Sequence, residues 1–68
     1  MPSSAIRTFD YDLERRQLWV KFVSGKTYVY DRVPEELPEA FRAAQSKGTF
    51  FNRYIRDRYP FREVIGAA

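Results

Sequence analysis

Two kinds of hydrophobic spacing divide this chain. In QLWVKFV, residues 17–23, Leu18, Val20 and Phe22 alternate with Trp19, Lys21 and Val23, the period of two that gives a strand two different faces. The preceding SAIRTFDYD mixes β-branched and aromatic residues and runs into the polar DLERR, which reads as a strand entering a turn. KTYVYD has the same strand character, and Ser24-Gly25 before it forms a tight hairpin in which glycine supplies a positive φ without steric cost. Together these runs predict an antiparallel β-meander of three strands.

The hairpin can close in two registers, and the choice decides what YVY does. A two-residue Ser24-Gly25 loop sets Trp19 opposite Tyr30 and puts Tyr28 and Tyr30 on the face of Trp19 and Lys21. A type I turn with a bulge at Gly25 sets Val20 opposite Tyr28 and puts both tyrosines with Leu18, Val20 and Phe22. The bulged form is expected, because it gives a small core two more large rings.

After residue 33 the spacing becomes helical. Pro34 and Pro38 argue against one continuous helix from 34, since Pro38 lacks the N–H for an internal bond. A turn over 34–37 and a helix from Pro38, with Leu37, Ala40, Phe41 and Ala44 on one face and Gly48 as its stop, is the expected reading. Thr49 is placed to cap a second helix, FFNRYIRDRY, in which Phe50, Phe51, Tyr54 and Ile55 form an apolar arc and Asn52, Arg53, Arg56 and Asp57 face away. Tyr59-Pro60 ends it, and FREVI adds a short strand or a packed tail. The fold class expected is α+β: a three-stranded antiparallel meander packed against two short C-terminal helices, one domain over 1–68 with its core at about 3–65, and Leu18, Val20, Phe22, Phe41, Phe51 and Ile55 inside.

Composition narrows the chemistry. At 68 residues a chain buries only about 60% of the surface its unfolded form exposes, so six Phe, five Tyr and one Trp supply the area that staples would otherwise provide. Cysteine and histidine are absent, which excludes disulfide frameworks, zinc fingers, thiol nucleophiles, Ser-His-Asp triads and imidazole catalysis. No apolar run approaches the roughly 20 residues of a membrane span and no signal pattern opens the chain, so a cytoplasmic location is expected. The serine-rich PSS reads as a flexible start.

The GKT of VSGKTYVYD resembles the end of a P-loop, but the motif requires glycine where this chain has Val20, and a helix where this chain has a strand. Asp10, Asp12 and Glu14 read as a solvated loop rather than a cation site. No catalytic residue, metal ligand or cofactor site is assigned, a non-enzyme is expected, and no small-molecule substrate is evident.

Charge is uneven. The net value is +3, but residues 1–41 carry six basic against seven acidic side chains, while residues 42–68 carry six basic against two acidic. Attraction to an anionic partner is expected from that last third. Arg53 and Arg56, with Lys47 and Asn52 near the helix start and Arg42 and Arg62 flanking, form the candidate nucleic-acid face. Ordinary solvated surface is the competing reading, since Arg53 and Asp57 are spaced to pair along a helix. A second candidate is an aromatic surface of Trp19, Lys21, Tyr28 and Tyr30, able to stack bases if exposed. The alternatives are that both tyrosines are core residues and that Trp19 is covered by the first strand or the tail.

The order SSAI, YD, LWVKFVSGKTYVYDRVPEEL and SKGTFFNRYIRDRY resembles the KTSC domain family, small bacterial domains found alone and at the C-terminus of some lysyl-tRNA synthetases. The resemblance covers about residues 3–60. Tyr28-Val29-Tyr30 is similar to the family's central YxY motif, and SKGTFFNRYIR to its second signature. The resemblance supplies no established activity and suggests RNA binding, partly through the synthetase context. Two partner classes follow as expectations: RNA, met by the basic face, or another protein, met by a sheet edge or an aromatic surface.

Overall fold

A computed structural model describes residues 6–65 and forms β1 from Ile6–Asp12, β2 from Gln17–Phe22 and β3 from Thr27–Tyr30. The PSS start and the first residues of the expected β1 lie outside the described residues. Between β2 and β3 the Gly25 N–H donates to the Phe22 carbonyl at 2.9 Å and the Phe22 N–H to the Lys26 carbonyl at 2.8 Å, with Gly25 at φ 99°. That is a type I turn closed by a glycine bulge. It pairs Leu18 with Tyr30 and Val20 with Tyr28, so both tyrosines join Leu18, Val20 and Phe22 on one face, while Trp19 and Lys21 turn to the other.

The sheet has four strands, which corrects the expectation of three. β4, Phe61–Val64, pairs antiparallel with β3, setting Phe61 opposite Tyr30 and Arg62 opposite Val29, and the strand order is β1-β2-β3-β4. The helices therefore lie between β3 and β4 in the sequence rather than at the C-terminus. FREV is short, and its partner strand lies some thirty residues away. No local pattern identifies a pairing of that range.

The first helix, α1, spans Glu36–Ala43 and so begins two residues before Pro38. The first four N–H groups of a helix have no internal partner, so proline at the third position sacrifices no bond. Ala44 turns to extended backbone at ψ 139°, ending the helix well before Gly48. Ser46, not Thr49, caps the next helix: its hydroxyl oxygen accepts from the Thr49 N–H at 3.2 Å. This helix, α2, runs Lys47–Phe50 and continues as a π-helical turn over Phe51–Ile55, in which the Arg56 N–H reaches back five residues to the Phe51 carbonyl at 2.8 Å. The wider turn buries Phe51 and Ile55 and leaves Tyr54 48% exposed, at the edge of the expected apolar arc, with its ring against Phe50 at 4.8 Å between centroids. Gly48, expected as a stop, is buried in the first turn of α2.

Both helices pack on the tyrosine-bearing face of the sheet. Leu18, Val20, Tyr30, Val33, Phe41, Phe51 and Ile55 make the core, with Phe9, Tyr11 and Phe22 partly buried against it. Phe22 is thus at the margin of the core rather than inside it. Phe9, Phe41 and Phe50 stack at 4.2 and 5.3 Å between ring centroids, and the Tyr11 hydroxyl donates to the Val33 carbonyl, tying β1 to the segment before α1. No helix of the described residues is long and apolar enough to cross a membrane.

Two substitutions test this packing. Ile55→Ala is expected to cost about 2–5 kcal/mol, since the side chain is wholly buried, and most of that loss should appear as a lowered midpoint in urea. Gly25→Ala meets no steric neighbour, but alanine at this positive φ costs about 1–2 kcal/mol. An unchanged urea midpoint for Gly25→Ala would mean that Gly25 does not hold the positive φ on which the turn depends.

Candidate functional site

The helices leave part of the sheet face open, and there the chain forms a groove of about 680 Å³. Phe22, Tyr28, Tyr30 and Phe61 supply its floor from the sheet. Val23, Ser24 and Lys26 of the hairpin stand along one side, and Gly48, Phe51, Asn52, Arg56 and Asp57 along the helical side. A volume of this order falls within the range of ligand pockets, roughly 300–1,000 Å³.

Five aromatic rings line the groove in a closed circuit. Phe22 meets Tyr28 at 5.6 Å, Tyr28 meets Phe61 at 5.7 Å, Phe61 meets Tyr30 at 5.4 Å, Tyr30 meets Phe51 at 5.7 Å, and Phe51 returns to Phe22 at 5.4 Å between centroids. Three of these contacts are edge-to-face, the arrangement the aromatic quadrupole favours. The circuit passes from core to surface: Tyr30 is 4% exposed and Phe61 52%. Lys26 and Arg56 add cations, Asn52 an amide and Asp57 a carboxylate.

Tyr30 carries a perturbed hydroxyl. Burial, with the neighbouring Tyr28 as a smaller contribution, pushes its pKa up to about 12 from the usual 10.0, so at neutral pH it is an uncharged donor and acceptor. It has no hydrogen-bond partner among the described residues, yet the ring lines the groove and no buried polar side-chain atom is left unsatisfied. The hydroxyl therefore meets solvent in the groove.

The expected site residues separate. Asn52 and Arg56 line the groove together with Tyr28 and Tyr30. Lys47 is engaged elsewhere: its Nζ donates to the carbonyls of Arg42 at 3.0 Å and Ala44 at 2.6 Å, closing the C-terminal end of α1. The Arg42 guanidinium lies over the Phe9 ring at 5.9 Å. Arg62 pairs with Asp31 at 3.4 Å on the opposite face of the sheet. Arg53 is exposed and does not line the groove, and its i,i+4 pairing with Asp57 does not form, because the helical turn ends at Ile55 and Asp57 sits at φ 62°. The four-residue aromatic surface is split by register: Trp19 and Lys21 lie on the sheet face away from Tyr28 and Tyr30. Asp12 accepts from the Arg15 N–H at 3.2 Å, so it shapes the β1–β2 turn.

Sequence reasoning missed Lys26, Phe61 and Asp57 as groove residues. Lys26 could have been found, since it shares parity with Tyr28 and Tyr30 and so the same side of the chain. Phe61 required the β3–β4 pairing, and Asp57 required the early end of the π-helical turn.

The KTSC domain pattern matches residues 2–59. The chain belongs to this family. A KTSC domain protein from Yersinia pestis has a crystal structure similar to this chain, with a TM-score of 0.85 and 37% identity over 94% of this chain and 93% of that one. An uncharacterized protein of Stutzerimonas stutzeri is 37% identical over 87% of this chain and 83% of its own length. A lysine–tRNA ligase of Nostoc punctiforme is 34% identical over 90% of this chain, and the match spans 11% of that enzyme. Within this KTSC domain the YVY run and the SKGTFFNRYIR run, distant in sequence, meet at the groove: Tyr28 and Tyr30 on its floor, Gly48, Phe51, Asn52 and Arg56 along its side.

Two measurements check these assignments. The folded pKa of Tyr30 lies above its unfolded value, so its contribution to stability is complete below pH 10 and is lost as pH rises from 10.0 toward about 12. Urea midpoints should fall across that window in the parent and fall less in Tyr30→Phe; equal slopes would contradict the assignment. Lys47→Ala should lower stability by about 1 kcal/mol through loss of the α1 carbonyl contacts, visible as a lower melting temperature.

Proposed function

We propose that this chain is a non-catalytic binding module that holds a short unpaired stretch of RNA in the aromatic groove. The observation that carries the reading is the closed circuit of five rings bordered by Lys26 and Arg56. Base stacking on aromatic faces contributes about 1–3 kcal/mol per base and tolerates any sequence. The adjacent cations supply phosphate contacts, which dominate non-specific affinity. Arg53 and Arg42, exposed outside the groove, extend the positive field of the C-terminal third, while Asn52 lines the groove with an amide able to hydrogen-bond a base. Lys47 and Arg62 contribute field rather than contact, since each is already engaged. The similar segment in a lysine–tRNA ligase fits an RNA partner, and such a partner fits a cytoplasmic place for the chain.

A second reading rests on a different observation. β4 is an edge strand beside the groove, and Phe61 at its start is half exposed, so an extended segment of another protein could add to the sheet and seat side chains among the rings.

Salt separates the two. In a titration of oligouridine at rising salt, Lys26→Glu combined with Arg56→Glu is expected to weaken binding and to flatten the slope of log K against log salt by roughly 1.4, the value for two single-strand phosphate contacts. Both side chains are exposed, so the melting temperature should hold. Binding that ignores salt and survives the double reversal would sink the electrostatic account and favour the protein partner.

A further inference from the structure

Among the described residues Asp57 is the only acidic side chain lining the groove, where its neighbours are lysine, arginine and aromatic residues. On the RNA-binding reading, on which this inference rests, a carboxylate there repels the phosphates that Lys26 and Arg56 attract. It forms no ion pair among the described residues. Its backbone lies in the left-handed region at φ 62°, just after Arg56 leaves the helical turn at ψ 130°. Aspartate adopts that conformation readily, and here it turns the chain so that residue 57 lines the groove. Tyr30 lines the same groove; burial chiefly keeps its phenol protonated, and the neighbouring Arg56 and Asp57 act on it in opposite directions.

These two groups form a complementary set. An ionised carboxylate only accepts hydrogen bonds and can take two parallel donors, while a neutral tyrosine hydroxyl can donate. Of the four RNA bases, guanine alone presents two adjacent donors, N1–H and the 2-amino group, beside an acceptor, O6. Uracil offers one N–H between two carbonyls and sets an oxygen against the carboxylate; adenine and cytosine each offer a single amino donor next to a ring acceptor. We infer that Asp57 is a specificity-determining residue that selects a guanine base in the groove, accepting from N1–H and the 2-amino group while the Tyr30 hydroxyl serves O6. The less buried rings of the circuit, Tyr28 and Phe61, hold the base by its face, and the carboxylate reads its edge.

The test uses the full chain, isothermal titration at low salt, and five single-stranded RNA pentamers with uridine at every position but the central one, which is guanosine, inosine, adenosine, cytidine or uridine. The guanosine pentamer is expected to bind roughly tenfold tighter than the all-uridine one, as a bidentate base contact implies. Inosine, which lacks the 2-amino group, should keep only part of that advantage. Asp57→Asn, which suits the left-handed backbone as well as aspartate does, should keep the melting temperature and abolish the preference. It should bind the all-uridine pentamer as tightly as the parent or tighter, since a repelling charge has gone. Equal affinities across the bases, or an Asp57→Asn variant that tightens on every pentamer alike, would overturn the selection of guanine and leave the RNA-binding groove standing. Failure of every pentamer to bind would overturn both.

Discussion

One bulged turn decides what this molecule can present to a partner. With Gly25 at φ 99° and in the position that closes the hairpin, each residue of β3 takes the face it would not have in a two-residue loop, because side chains alternate and a one-residue shift exchanges the faces. Tyr28 and Tyr30 thereby meet Phe22 on one side and Phe51 and Phe61 on the other. In the alternative register the same tyrosines would stand beside Trp19, the helices would pack on Val29, and the ring circuit would not exist. The core and the groove share this single origin, since Tyr30 belongs to the core cluster and also lines the groove.

The helical segment completes the groove by ending early. A regular helix through Asp57 would carry Asn52, Arg53, Arg56 and Asp57 on its outer face, remote from the sheet. The π-helical turn over Phe51–Ile55 and the extended backbone at Arg56 bring Asn52, Arg56 and Asp57 to the open sheet instead and leave Arg53 outside. Burial of Phe51 and Ile55 anchors the turn, so the same residues that stabilise the fold aim the polar ones. The basic excess of the C-terminal third is likewise divided by structure: Lys47 closes a helix end, Arg62 faces Asp31, Arg42 covers Phe9, and Arg56 reaches the groove.

What could be read beforehand follows the range of the forces involved. The three leading strands and the buried set Leu18, Val20, Phe41, Phe51 and Ile55 were legible because alternation and helical spacing are local. The bulged register was legible too, from the demand of a small core for large rings. β4 was legible only as one of two alternatives, a short strand or a packed tail, because its place in the sheet depends on pairing with β3 rather than on its own four residues. The cap at Ser46 instead of Thr49, and the start of α1 before Pro38, turn on a single side-chain bond and on the free N–H groups of a first turn. Charge counting along the sequence ranks Lys47 with Arg56, whereas hydrogen bonding to nearby carbonyls removes one and backbone geometry exposes the other.

The central claim is that the tyrosine-bearing groove, and not the Trp19 face of the sheet, meets the ligand. Backbone amide chemical shifts recorded while single-stranded RNA is titrated into isotope-labelled protein test it most directly. The account predicts shifts that cluster at Lys26, Tyr28, Tyr30, Asn52, Arg56, Asp57 and Phe61, with Trp19, Lys21 and Thr27 largely unmoved. Shifts centred on Trp19 and Lys21, or a spectrum unchanged at saturating RNA, would contradict it.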